Sequence, residues 1–314
     1  GGFRVTTPEV LDVARMVLVG LASPFRPQAV LDRSVLGAHL TFGRDVLGNS
    51  LVNFCGRTLD NWVVGKALGA ALLGVYSMAF QFARLPAMLV TGPLQYVLYA
   101  QLAPMKDSPA AMAPMLLLLT RLLALVIFPV MAVVAVAHAP LFTLLLSAKW
   151  AQAGQFFMLL APATALQAVL AIGETLCFAL GRTALQLRAS AEFALLWIGA
   201  LLVAVMFGLK AAALAYTLAV LIYAWRYMGR LLPLLQCRLR DYGRAYLPAL
   251  CSSTAAASVY LLLDGVCELA LVEHMAASAL LAITAVGCGL WTQKAALMQE
   301  VALLRLARGA DTAH

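Results

Sequence analysis

The sequence predicts an all-α, polytopic membrane bundle of about eight transmembrane helices, and three observations carry that expectation. Of 314 residues, 63% are hydrophobic and only 11% are charged, where about 45–50% apolar is usual for a soluble domain. Apolar runs of about 20 residues, the length that crosses a bilayer core, occur near 46–65, 70–100, 114–137, 155–180, 191–208, 211–229, 245–263 and 275–293. These runs are continuous and rich in Leu and Ala rather than alternating with period two, so they are helices and not barrel strands.

The formal net charge of +8 would suggest nucleic acid for a soluble chain. Here the basic residues concentrate in alternate connections. One set holds Arg26, Arg33 and Arg44, then Lys106, then Arg182 and Arg188, then Arg226, Arg230, Arg238, Arg240 and Arg244, then Lys294, Arg305 and Arg308. The intervening set holds Lys66, Lys149 and Lys210, and ends with the acidic Asp264, Glu268 and Glu273. The positive-inside rule then puts the first set in the cytoplasm, the C-terminus included, and all eight helices alternate without conflict. The charge reports topology, and no nucleic-acid partner is expected.

The six cysteines, Cys55, Cys177, Cys237, Cys251, Cys267 and Cys288, have no paired spacing that would make a metal site or redox motif. Inert buried thiols are expected, with no metal and no cofactor. Neither a Walker sequence, a dinucleotide fingerprint, HExxH nor GxSxG occurs, so no enzymatic activity is expected.

Residues 23–45 read as a polar entry loop that becomes an amphipathic lead into the first full helix, preceded by PEVLDVARMVLVGLAS as the tail of an earlier helix. APMKDSPAAMAP at 103–114 is a turn-rich loop, and 138–154 is an outer connection with a short apolar element of its own. The final stretch sets Leu297, Val301 and Leu304 on one side of an interfacial helix, with Arg305 and Arg308 beside them.

Chemistry concentrates in the first 180 residues. On the first helix Asp45, Asn49, Asn53, Arg57 and Asp60 recur every three or four residues, which makes one face polar along its length. Ser77, Gln81, Arg84, Met88, Thr91 and Gln95 repeat the spacing on the second helix, and Thr164, Gln167, Ala171 and Glu174 form a weaker stripe on the fourth. An ionised side chain at the bilayer centre costs at least about 2.5–3.5 kcal/mol, so Arg57, Asp60 and Arg84 must face protein or water, and three stripes imply a shared internal cavity. Two readings stay open for several of these residues. Arg57 and Asp60 could pair within one helix, and Gln81 and Thr91, or Gln167 and Thr164, could be ordinary interhelical hydrogen bonds. Arg84 has no acid near it on its own helix, which suits an anionic ligand such as phosphate held in bidentate fashion.

Residues 40–105, with an FG entry, the helix ending DNWVVGKALG, the segment LGVYSMAFQFARLP and a closing stretch, resemble the polysaccharide transporter (oligosaccharide flippase) family. LLLSAKWAQAG at 144–154 resembles that family's G-x-K-W-x-x-A segment, with Ser147 where glycine is usual, and LCFALGR at 176–182 resembles its helix exit. The resemblance implies two six-helix lobes around a central cavity that move lipid-linked glycans across the bacterial inner membrane by alternating access. On that pattern residues 1–43 are the end of a preceding helix and a cytoplasmic loop, and 44–230 are a six-helix transporter lobe. Residues 231–295 add two transmembrane helices, and 296–314 form a cytoplasmic amphipathic tail. The first lobe would lie outside this sequence.

The resulting expectation is flipping of an undecaprenyl-pyrophosphate-linked oligosaccharide for lipopolysaccharide or exopolysaccharide assembly. Arg57 and Arg84 would receive the pyrophosphate or acidic sugars, and Asn49, Asn53, Gln81 and Thr91 would hydrogen-bond the glycan. Asp60 would orient Arg57 or, like Glu174, take part in ion coupling. The implied partners are the lipid-linked oligosaccharide, membrane lipid, and a polysaccharide polymerase with glycosyltransferases. A cation-coupled multidrug exporter of the related branch and a non-transporting membrane scaffold of the assembly complex are the alternatives.

Overall fold

A computed structural model describes residues 33–106, 108–266, 270–294 and 297–298. The expected tail of an earlier helix, Cys267 and Glu268, and most of the interfacial tail at 296–314 lie outside the described residues. Among those described, all regular structure is helical. α1 (Arg33–Ala83) is followed by a π-turn (Ala87–Thr91) and α2 (Gly92–Leu102). Then come α3 (Pro109–Val136), α4 (His138–Leu146), α5 (Ala151–Ala179), α6 (Thr183–Ala204), α7 (Leu209–Leu234), α8 (Leu239–Val266) and α9 (Leu271–Thr292).

The chain is a multi-pass membrane protein: seven helical segments among the described residues are long and apolar enough to cross a bilayer. The first of them, His39–Met105, has 67 residues. At about 1.5 Å per residue it would measure roughly 100 Å, three times the hydrocarbon thickness, so it cannot be one crossing. It breaks at Gly69, whose φ of 85° and ψ of 171° leave the helical region. Only glycine occupies that backbone region freely. A Cβ placed on Gly65 would lie 3.0 Å from Leu73 Cδ2, whereas residues eight apart in a straight helix stand about 12 Å apart along the axis. The chain therefore folds back at Gly69.

The register between α1 and α6 leads independently to the same count. The Thr183 hydroxyl donates to Asp45 at 2.9 Å, and Trp197 Nε1 donates to Asp60 at 3.4 Å. Between these two bonds Leu187 approaches Gly48 and Ala194 approaches Gly56. Residue numbers rise together, so the two helices run parallel. Helices that each cross once run parallel only when an odd number of crossings lies between them. α4 has nine residues and is too short to span, so α1 and α6 are parallel only if the limbs on either side of Gly69 cross separately. The seven segments therefore make eight crossings.

Sequence expectation and structure differ in two places. Helix begins by Arg33, inside the stretch expected to be an entry loop; no proline follows Pro27 there to stop it. The chain divides between Gly43 and Arg44, and the polar cleft lies wholly after that division. The second difference is the stripe from Ser77 to Gln95, which does not hold to one face. The π-turn after Pro86 inserts an extra residue into the helical repeat and rotates the helix beyond it. Ser77 and Gln81 are exposed, whereas Thr91 is buried.

Packing centres on α5, with about two-thirds of its most apolar window buried, against 17% for α9. Gly173 permits the close approach of α5 to α7, since a Cβ there would fall 2.9 Å from both Tyr227 Cε1 and Met228 Cε. α8 and α9 add a second small cluster around Val133, Ala137 and Tyr260.

Candidate functional site

Spacing on three helices builds one polar cleft. On α1, Asn49, Asn53, Arg57 and Asp60 share a face. On α6, Gln186, Ser190, Phe193 and Trp197 do the same, and α5 contributes Gln167, Ala171 and Glu174. Arg84 enters from just past the end of α1, and Tyr216 and Tyr223 from α7.

Two cavities make up the cleft. One, of about 150 Å³, is lined among others by Asn53, Arg57, Asp60, Arg84, Trp197 and Tyr216. The second, of about 130 Å³, is lined by Glu174, Gln186 and Tyr223 among others. Asn53, Gln167, Ser190 and Phe193 border both, so the two are chambers of one trough.

In the first chamber Asp60 is buried, with 3% of its surface exposed. It accepts the Trp197 N–H, and the electrostatic field of Arg84 reaches it from across the fold at Gly69. Arg57 instead directs Nε to the Asn53 carbonyl at 3.2 Å, and no ion pair joins it to Asp60 among the described residues. The carboxylate that sequence spacing paired with Arg57 thus accepts from Trp197 instead, and a different arginine, Arg84 on the far limb of the hairpin, lines the same chamber. The Arg84 guanidinium lies 5.0 Å from the Phe80 ring centroid, a cation–π contact that holds it over an apolar floor. Tyr216 donates its hydroxyl to Gln167 Oε1 and stacks edge-on to both Trp197 and Phe80, at 4.9 Å and 5.0 Å. That aromatic wall fixes the indole that binds Asp60.

In the second chamber Asn49 Nδ2 donates to Glu174 Oε1 at 2.9 Å, tying α1 to α5, while the buried Asn49 Oδ1 has no hydrogen-bond partner among the described residues. Tyr227 donates to Gln186 Oε1 at 2.6 Å, and Gln186 Nε2 donates to Ser190 Oγ at 3.2 Å.

The structure thus gathers Asn53, Arg57, Asp60 and Arg84 in one chamber and brings Asn49 to the other through Glu174. Gln81 is exposed and lines neither. Thr91 is buried and donates to the Ala168 carbonyl at 3.1 Å, and Gln95 donates likewise to Ala171 at 2.7 Å; both tether the π-turn region to α5. Trp197, Tyr216, Ser190 and Gln186 escaped the sequence reading. The three- and four-residue spacing of Gln186, Ser190, Phe193 and Trp197 was the available signal, masked because aromatic residues at helical spacing also describe an ordinary core. Among the described residues no three His, Cys, Asp or Glu side chains gather to hold a metal. Two guanidinium groups, two carboxyls and several amides around a trough suit binding of an anionic, polyhydroxylated ligand.

Residues 7–155 match the family model described as polysaccharide biosynthesis protein. The teichuronic acid biosynthesis protein TuaB of Bacillus subtilis (strain 168) is 26% identical over 203 residues, 65% of this chain and 40% of that protein. The amylovoran biosynthesis protein AmsL of Erwinia amylovora is 30% identical over 93 residues, 30% of this chain and 24% of that protein. The chain therefore aligns with less than half the length of these relatives. Among solved structures, the lipid II flippase MurJ in an inward closed conformation superposes with a TM-score of 0.60 at 13% identity, covering 90% of this chain and 61% of that one. The likeness is one of fold.

Proposed function

We propose that this chain, of which residues 7–155 match the polysaccharide biosynthesis protein model and whose fold resembles that of a lipid II flippase, forms the cargo-binding C-terminal lobe, plus two helices, of a flippase for undecaprenyl-pyrophosphate-linked oligosaccharide. The lobe is residues 44–230 and the two helices lie within 231–295. It works by alternating access in the bacterial inner membrane, with its C-terminus in the cytoplasm, and it binds and moves cargo without transforming it. Lipopolysaccharide or exopolysaccharide assembly consumes the cargo, beside a polymerase and glycosyltransferases.

The observation that carries this reading is the meeting of Arg57, Arg84 and Asp60 in one half-open polar chamber within a membrane bundle. Charges in such a place are costly and mark a substrate or ion path. Arg57 and Arg84 receive the pyrophosphate or acidic sugars, which a guanidinium can grip through two N–H groups at once. Asn53 and Asn49 hydrogen-bond hydroxyls as the cargo passes. Asp60 balances Arg84 in the empty state and, with Glu174, is a candidate for ion coupling. Gln81 and Thr91 act at most indirectly, through the face and tether on which they lie.

The test is to delete the gene and ask where the lipid-linked saccharide accumulates. A flippase predicts intermediate trapped on the cytoplasmic leaflet and no surface polymer. Intermediate that still reaches the outer leaflet, with polymer lost, would instead identify a scaffold. Intact polymer with loss of cationic dye export would identify the multidrug branch.

A further inference from the structure

Beside the cleft, behind Phe193 and Tyr223, Glu192 on α6 is shared by two arginines of α7. Its Oε2 accepts Nε and Nη2 of Arg226, both at 3.3 Å, and its Oε1 accepts Nη1 of Arg230 at 2.8 Å. One carboxylate meets two guanidinium groups, so the cluster keeps a surplus positive charge. Its remaining donors, Nη1 of Arg226 and Nε and Nη2 of Arg230, have no protein partner among the described residues. The two side chains are 56% and 36% exposed, and the three charged residues border a cavity of about 150 Å³ whose apolar walls include Leu196, Ile222 and Phe193.

α6 and α7 run antiparallel, since Gln186 meets Tyr227 while Trp197 meets Tyr216. The start of α6 and the end of α7 therefore lie at one end of the pair, with Arg182, Arg188, Arg238, Arg240 and Arg244 in and beside them. Arg230 is four residues, and Arg226 eight, before the end of α7 at Leu234. That is roughly 6 and 12 Å below the helix end, a depth from which guanidinium groups snorkel toward lipid headgroups.

We propose that Arg226 and Arg230 hold the phosphate of an anionic bilayer lipid in this cavity, with its acyl chains along Leu196 and Ile222 and Glu192 as the internal counter-ion that the phosphate partly displaces. Free guanidinium donors in a bidentate arrangement suit a phosphate, a basic pocket between helices near the headgroups suits an anionic lipid, and an apolar wall continuous with the charges suits a lipid better than a free anion. Phe193 and Tyr223 form a wall between this cavity and the cleft, whose chambers include none of the three charged residues, and the proposal does not depend on what the cleft carries.

The experiment is native mass spectrometry of the full chain released from neutral detergent, titrated with phosphatidylglycerol, phosphatidylcholine or inorganic phosphate. We expect phosphatidylglycerol to be retained over phosphatidylcholine and to resist displacement by equimolar inorganic phosphate. Arg226→Ala with Arg230→Ala should weaken its retention by about fivefold per arginine removed. Glu192→Gln should tighten it, because the competing carboxylate charge is gone. Equal retention of the two lipids, ready displacement by inorganic phosphate, or unchanged retention in the double variant would overturn the proposal. Should the double variant fail to fold, Glu192→Gln decides: weaker or unchanged binding would mean that the cluster is only a structural ion pair.

Discussion

Asp60 and Trp197, on two parallel helices, meet through an indole N–H that donates to the carboxylate at 3.4 Å inside the chamber that also holds Arg84. This contact has two consequences. It fixes the register of α1 against α6, and with Thr183 on Asp45 it does so at both ends of the interface. It also makes the buried acid of the cleft a structural partner and an electrostatic one at once, so its two roles can be separated by substitution.

Asp60→Asn keeps an oxygen that can accept the Trp197 N–H and removes the charge that faces Arg84. Asp60→Ala removes both and leaves a buried donor unsatisfied, at a cost of about 1–3 kcal/mol. Thermal melting in detergent should therefore show Ala well below Asn. Polysaccharide complementation by the Asn variant should fall even though its melting stays near the parent.

Gly69→Ala should destabilise by about 1–3 kcal/mol. Nothing lies within 4 Å of a Cβ built there, so the whole effect comes from the backbone at φ 85°. An unchanged melting temperature would mean that the hairpin between the two limbs relaxes into another geometry.

Gly173→Val attacks packing instead. Its first added carbon already meets Tyr227 and Met228 at 2.9 Å, and Tyr227 is held by its bond to Gln186, so the ring cannot swing aside without breaking that bond. Overpacking of about 1–3 kcal/mol is expected, read as lowered melting and as loss of the parent's yield in detergent.

Eight crossings put Lys66 and Lys149 on one side of the membrane and Lys106 on the other. In a background with the native cysteines replaced, Lys66→Cys and Lys149→Cys should react with an impermeant thiol reagent added from outside the cell, and Lys106→Cys should not. Reaction of Lys106→Cys with Lys149→Cys protected would contradict this arrangement.

The crossings were legible because a bilayer imposes a length, and apolar runs near 20 residues declare themselves one by one. Even the break between the first two could be read, since Gly65, Lys66 and Gly69 interrupt the hydrophobic run. The polar face of α1 was equally plain, as its repeat holds from Asn49 to Asp60. Legibility failed where backbone geometry departs from the regular period. The π-turn after Pro86 took Ser77 and Gln81 off the face on which Thr91 and Gln95 lie, and nothing in the spacing announces such an insertion. It failed again where partners are distant in sequence. Glu192 with Arg226 and Arg230, and Asp60 with Trp197, depend on which helices become neighbours. Local periodicity offered Arg57 as the partner for Asp60, and the fold supplied Trp197.

The most direct test of the cleft as a cargo site is surface-polysaccharide complementation by Arg84→Ala and Arg84→Lys in the full-length protein, each scaled to its level in the membrane. A guanidinium that grips pyrophosphate or an acidic sugar predicts that Ala abolishes the polymer, and that Lys, a point charge without the planar fork, restores only part of it. Full complementation by Arg84→Ala at the parent's protein level would contradict the assignment.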